Sequence, residues 1–330
     1  MNSTLNPSMK IGENGLCNIC DLYKRYFDAR RLRRELSFFK SFIGKGEKYD
    51  VMAGVSGGKD STAMLYTLRE MGFNPLAFTF DIGYYPRHEF TRAREVTRML
   101  GVNHVVIDIR RYIHKADVKA YENTANLYSR PDSEELREEF RRIYVDERKY
   151  FSAKSRSSEP VVRTCQLCRR AVIRGYYSQA ARRGIGMVAL GINEWAGLSQ
   201  DNLNAKSYTF SGIRKLQPGK NREPVYIAHL PFLLQRKLGE TRKILKKVGW
   251  EPPTGERTVE SNANSCLFAR AAEEKFTRLM GFHPDTPRLS REITVGFITK
   301  KQASTALNEV HKSEKTVRQV LTDAKIIRHS

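Results

Sequence analysis

One hexapeptide constrains this chain more than any other feature. Ser56-Gly57-Gly58-Lys59-Asp60-Ser61 joins a short apolar run, residues 49–55, to the helix-forming stretch TAMLYTLREMG. Two adjacent glycines let the backbone turn tightly and approach an anion, and the N–H groups of a first helical turn point at it. The pattern then continues. NPLAFTFDIG reads as a second strand, HEFTRAREVTRMLG as a helix and HVVIDIR as a third strand, with MVALGIN and PVYIAHLPFLL as later extended segments. Apolar strands alternating with helices predict an α/β fold, a doubly wound parallel sheet covered on both faces.

Three parts follow from the patterning. Residues 1–46 form a leader with a C-x-x-C pair and a basic amphipathic helix over 25–45. Residues 47–250 carry the alternating core. Residues 251–330 read as a helical C-terminal region. A chain of 330 residues with 40% hydrophobic content can bury a sizeable core, which excludes wholesale disorder. No run approaches the ~18 apolar residues of a membrane span. The first fifteen residues lack the apolar stretch of a secretory signal, so the expectation is a cytoplasmic protein with no membrane partner. Charge is unevenly spread: the net +22 is concentrated between Arg163 and Trp250, where 17 basic residues face 4 acidic ones. Such a field attracts polyanions, either nucleic acid or phosphorylated small molecules.

The chemistry of the hexapeptide can be read residue by residue. Ser56, Ser61 and Thr62 offer hydroxyl donors, Lys59 a positive charge, and Asp60 a carboxylate that holds Mg²⁺ or orients the loop. This is not the Walker pattern. It resembles the S-G-G-x-D-S signature of the PP-loop ATP pyrophosphatase superfamily, the adenine nucleotide alpha hydrolase-like proteins. The resemblance implies a Rossmann-like, HUP-type domain. It also implies cleavage of ATP between the α and β phosphates, adenylation of a carbonyl-type oxygen, and displacement of AMP by nitrogen or sulfur. The nucleotide-binding set it implies is Ala53, Gly54, Val55, Ser56, Gly57, Gly58, Lys59, Asp60, Ser61 and Thr62. Phe80 and Asp81 join them from the end of the second strand, and Gly191 from the end of the fourth. Lys59 and Asp60 are the catalytic candidates in the loop.

Five cysteines, an odd number, argue against a disulfide framework. Cys165-Gln166-Leu167-Cys168-Arg169-Arg170, followed by a helix and MVALGIN, is similar to the tRNA 2-thiolating branch of the superfamily. That resemblance implies a [4Fe–4S] cluster on Cys165, Cys168 and Cys266, since thiolates are its natural ligands. Zinc at this C-x-x-C, or a persulfide nucleophile at Cys168 or Cys266, remains the alternative. Cys17 and Cys20 match half of a family zinc knuckle. Either Zn²⁺ borrows ligands there, for instance Cys165 and Cys168, or the knuckle has decayed. Arg169, Arg170 and Arg174 are candidate contacts to the acceptor, with Tyr176 and Tyr177 placed to stack on a base. Against this stands the plainer reading of a solvated helix face.

A second resemblance competes. Bacterial N-acetyl sugar amidotransferases, also PP-loop enzymes, share the Gly15-Leu16-Cys17-Asn18-Ile19-Cys20 leader, the V-S-G-G-K-D-S-T run at 55–62, Thr79-Phe80-Asp81, and a tail like Gly296-Phe297-Ile298-Thr299. The favoured expectation is ATP-dependent thiolation of tRNA or a nucleobase-like acceptor, with a sulfur-donor protein or sulfide as partner. The alternative is nitrogen transfer with ammonia from a glutaminase subunit. Self-association as a homodimer is left open.

Overall fold

The computed structural model describes residues 5–147, 156–200, 207–252 and 259–328. Two leader helices, α1 (Asn18–Tyr26) and α2 (Ala29–Lys40), precede β1 (Val51–Gly54), α3 (Lys59–Glu70), β2 (Pro75–Asp81), α4 (Arg87–Met99) and β3 (His104–Asp108). Three helices, α5 (Lys115–Ser129), α6 (Glu134–Asp146) and α7 (Cys165–Ala181), lead to β4 (Met187–Leu190). A hairpin of β5 (Gly197–Gln200) and β6 (Tyr208–Ser211) is followed by β7 (Ile213–Leu216) and β8 (Val225–His229). The remainder is helical: α8 (Leu230–Leu233), α9 (Leu238–Lys247), α10 (Leu267–Met280), α11 (Thr286–Thr294), α12 (Lys300–Leu307) and α13 (Val317–Asp323).

Six strands form one sheet in the order β3-β2-β1-β4-β8-β7, parallel throughout except for β7, which runs antiparallel to β8 at the edge. Alternate residues of the inner strands enter two separate cores. Val51, Ala53, Ala77, Met187 and Ala189 pack with Met64, Leu65 and Leu68 of α3 and Phe39 of α2. Met52, Phe78, Val188 and Ile227 pack on the other face with Tyr121 of α5, Phe140 of α6 and Leu167 of α7. Strands buried on both faces are what a parallel sheet requires. The fold is therefore the doubly wound α/β domain that the alternation implies. Successive strands step outward from β1 through β2 to β3, then reverse to β4 on the other side. Ligands bind at such a reversal, at the carboxyl ends of the strands.

Some local readings change. The single helix expected over 25–45 is two, because the Asp28 carboxylate accepts the Arg30 N–H at 2.8 Å and starts α2 afresh. The basic, Gly- and Pro-containing stretch 211–223 contains strand β7, whose Ile213 and Leu216 pair with Ala228 and Val225. The fifth extended segment is cut at His229, and Pro231 opens the short helix α8.

The C-terminal helices join the central core. Phe268 and Phe276 of α10 and Leu321 of α13 share one apolar cluster with the sheet. The Phe268 ring lies 5.3 Å from that of Tyr84 and 5.8 Å from that of Tyr121. Phe268→Ala should cost about 3–5 kcal/mol in urea denaturation, in a single transition. A separate early transition for the C-terminal region would contradict that shared core.

Candidate nucleotide and cysteine site

At the point where the sheet reverses, β1 delivers the hexapeptide into the first turn of α3. Gly57 adopts φ +81° and presses on α4, where an added Cβ would lie 2.5 Å from Arg92 Cβ. Gly191, just past β4, abuts the loop so closely that a Cβ would sit 2.9 Å from the backbone of Asp60. These contacts require glycine at both positions. The loop holds itself open through side chains. Ser61 Oγ donates to Gly58 O at 3.0 Å, Ser56 N donates to Ser61 Oγ at 3.2 Å, and Trp250 Nε1 donates to Gly57 O at 3.0 Å.

A cleft of about 1290 Å³ opens here. That exceeds the ~300–1,000 Å³ of a typical small-molecule pocket and leaves room beside a nucleotide. Of the sequence-derived set, Gly54, Val55, Ser56, Gly58, Lys59, Asp60, Ser61, Phe80 and Gly191 line it. Ala53 and Thr62 lie fully buried beneath the loop, and Gly57 faces α4. The Asp81 carboxylate is engaged in the next turn, accepting the Gly83 N–H at 2.7 Å. Phe80 stacks on Tyr176 of α7 at 5.1 Å, giving the cleft an aromatic wall. Lys59 Nζ is ion-paired with Asp60 Oδ2, while the buried Asp60 Oδ1 has no hydrogen-bond partner among the described residues. An orphaned carboxylate oxygen beside a phosphate loop is a fitting ligand for Mg²⁺.

Several cleft residues escaped sequence reading. Arg92, Arg242, Lys246 and Trp250 line it from α4, α9 and the turn after α9, and Arg288 and Glu292 line it from α11. Burial pushes the Glu292 carboxyl up against the pull of Arg288, and its environment includes Asp60 and Lys59. Only the folded arrangement brings α11 to the loop.

The cleft adjoins a cavity that reaches Cys165. Asn262 and Arg288 line both it and a second cavity of about 550 Å³ that contains Cys165. Cys165 and Cys168 open α7, and Cys266 caps α10, its Sγ 3.4 Å from the Ala269 N–H. Asn262 Nδ2 lies 3.9 Å from Cys165 Sγ, and the Tyr85 hydroxyl 3.7 Å from Cys168 Sγ. Burial and then the charge of Cys266 push the Cys165 thiol up, and burial raises Cys168. Cys266 is pushed up to about 12, mainly by burial and despite its helix-capping hydrogen bond. Cys165 is nonetheless exposed, and Cys168 and Cys266 are half-buried. Among the described residues no three His, Cys, Asp or Glu are placed to hold one metal ion. In donor type the three thiols suit either an iron–sulfur cluster or zinc.

Cys17 and Cys20 lie elsewhere, against α11. The Cys17 thiol donates to Cys20 Sγ at 3.2 Å, and Cys20 Sγ is 2.9 Å from Thr294 Oγ1. No third ligand of those four kinds joins them among the described residues, so zinc borrowed from Cys165 and Cys168 is not what the structure builds.

The three arginines of α7 divide. Arg170 and Arg174 both ion-pair with Asp117 of α5, and Arg170 is 1% exposed. Burial would raise the Asp117 carboxyl, but hydrogen bonds from Arg174, the His114 N–H and Arg170 hold it below the usual carboxylate range. Their shared helix face is thus neither solvated nor turned toward an acceptor. Arg169 alone points into the Cys165 cavity.

The family model of queuosine biosynthesis protein QueC matches residues 50–154. The 7-cyano-7-deazaguanine synthase of Psychromonas ingrahamii is 48% identical over 54 residues, 16% of this chain and 24% of its own length. The chain thus spans about a quarter of that relative. An uncharacterized protein of Methanocaldococcus jannaschii is 21% identical over 266 residues, 80% of this chain and 74% of its own. Among solved structures, a predicted subunit of tRNA methyltransferase from Methanocaldococcus jannaschii aligns with TM-score 0.26 at 17% identity, covering 61% of this chain and 90% of that one. NMN synthetase from Francisella tularensis aligns with TM-score 0.20 at 14% identity, covering 47% and 73%. Neither structural likeness bears weight at those scores. The QueC match, which covers the phosphate loop at the sheet's reversal point, likens residues 50–154 to the PP-loop ATP pyrophosphatase superfamily, whose members are ATP-using enzymes. No helix among the described residues is long and apolar enough to cross a membrane.

Two measurements test this geometry. Asp117→Ala strands two buried guanidinium groups and should cost about 3–5 kcal/mol in urea denaturation; a loss under 1 kcal/mol would show that the pair is not buried as described. His229, at the end of β8, is held by burial at a pKa of about 4, against an ordinary value of 6.5. Its contribution to stability is complete above pH 6.5 and is lost as pH falls toward 4, because the unfolded imidazole takes up the proton first. His229→Gln should flatten the decline of the thermal midpoint across that window. An unchanged slope would place the proton uptake elsewhere.

Proposed function

We propose that this protein uses ATP to adenylate a carbonyl-type oxygen on tRNA or a nucleobase-like acceptor, and then exchanges that oxygen for sulfur. The observation that supports the reading is that Cys165 lines a cavity sharing Asn262 and Arg288 with the phosphate-loop cleft, while Cys168 and Cys266, from two distant segments, pack against one apolar core. The acceptor oxygen attacks the α-phosphorus, forming an O–P bond and releasing pyrophosphate. A sulfur nucleophile supplied as sulfide or by a donor protein then adds to the activated carbon. The C–O bond breaks, and AMP leaves with the oxygen.

The loop N–H groups and Lys59 clamp the departing phosphates, and Asp60 Oδ1 would hold Mg²⁺. Cys165, Cys168 and Cys266 would hold an iron–sulfur cluster, whose chemistry when bound is to carry sulfide at an iron not taken by cysteine. Cys168 and Cys266 are half-buried and Cys165 is exposed, and the Tyr85 hydroxyl lies 3.7 Å from Cys168 Sγ.

Lys59→Ala and Asp60→Ala should each lower AMP and pyrophosphate formation about 100-fold or more. Unaltered turnover would remove the adenylation site from the loop. Anaerobically purified protein should contain about four irons and four acid-labile sulfides per chain, lost in Cys165→Ser, Cys168→Ser or Cys266→Ser while ATP binding persists. Zinc without iron under the same handling would overturn thiolation in favour of nitrogen transfer with a glutaminase.

A further inference from the structure

The phosphate loop contains two consecutive glycines, and a peptide unit between glycines can face either way. Flipping it changes only the ψ of Gly57 and the φ of Gly58, and neither residue has a Cβ to oppose the change. The direction matters to an anion. One orientation offers the Gly58 N–H to the cleft, and the other offers the Gly57 carbonyl, which repels phosphate. The choice needs a group outside the two glycines.

That group is Trp250, 193 residues further along the chain, whose indole Nε1 donates to Gly57 O at 3.0 Å. Thr62 Oγ1 also reaches this carbonyl, but only at 3.5 Å, and it bonds Gly58 O at 3.0 Å. The peptide is trans, so its C=O and N–H point in opposite directions. A carbonyl drawn to the indole therefore sends the Gly58 N–H the other way. That N–H reaches Ser56 Oγ at 3.3 Å, and Ser56 and Gly58 both line the cleft. A bond of that length is long enough for an entering phosphate oxygen to displace. The place of the indole is set by α9, which packs along α3. The Trp250 backbone N–H closes the end of α9 on Leu245 O at 3.0 Å, and the ring packs against the core that holds Met64, Leu65 and Leu68 of α3.

We propose that Trp250 is a positioning residue, whose indole N–H fixes the Gly57–Gly58 peptide with its N–H, not its carbonyl, toward the phosphates of the nucleotide. The inference rests on the ATP reading of the loop and names what keeps the loop ready before ATP arrives.

Isothermal titration calorimetry on the full chain, comparing α,β-methylene-ATP with Mg²⁺ against adenosine, tests it. Trp250→Phe keeps an aromatic ring and removes the donor. It should weaken binding of the ATP analogue about tenfold and leave adenosine binding as it was, because adenosine makes no demand on the peptide. Unchanged affinity for the analogue overturns the proposal. So does an equal loss for both ligands, which would make Trp250 a packing wall only. A second measurement needs no change at Trp250. The chain has two tryptophans, so ¹⁵N-indole labelling gives two N–H resonances, assigned with Trp195→Phe. The Trp250 resonance should be protected from hydrogen exchange with and without the analogue; free exchange overturns the proposal. Wild type that binds neither ligand removes the ATP reading and this inference with it. Wild type that binds both, with no selective loss in Trp250→Phe, removes the inference alone.

Discussion

A single buried carboxylate sets the position of the chemistry. Asp117 is 1% exposed, yet it accepts bonds from Arg170, Arg174 and the backbone of His114. Those bonds fasten α7 to α5. Since α7 begins with Cys165 and Cys168 and carries Tyr176, they also fix the cysteines and the aromatic wall of the cleft. Taking three charges out of water is costly, and a well-packed apolar substitute can be as stable. What the ionic arrangement adds is direction, because a guanidinium fork admits few orientations of its partner.

The phosphate loop depends on a different kind of constraint, close backbone approach. Gly57 against α4 and Gly191 against Asp60 bring β1, β4 and α3 together with no side chain between them. The cleft exists because the strand order reverses there, and its floor is glycine because three elements meet at it.

How much of this was legible in sequence follows from the range of each interaction. The hexapeptide and its strand–turn–helix setting are local, so Ser56 through Ser61 could be read directly. The parallel strands could be read as well, whereas β5, β6 and β7 were not, and the four residues of β7 make sense only beside β8. The three arginines of α7 show the limit. Arg169, Arg170 and Arg174 look alike in sequence, and only the position of Asp117, more than fifty residues earlier, separates two inward-facing ion pairs from one charge left in a cavity. Arg288 and Glu292 carried no local signal, because what recruits them is the packing of α11. The association of Cys266 with the C-x-x-C came from resemblance, and no local pattern implied it.

The way the C-terminal helices complete the cleft has a consequence for synthesis. Cys266, Arg288 and Glu292 lie beyond the last strand, and Phe268 and Leu321 cover apolar surface on the sheet. A nascent chain that has emerged from the ribosome only as far as Trp250 already owns its whole sheet and its phosphate loop. It has neither the third cysteine nor the lid of that apolar face. Until the final quarter arrives, such a chain has a phosphate loop without Arg288 and Glu292 beside it, and an apolar flank of the sheet open to water.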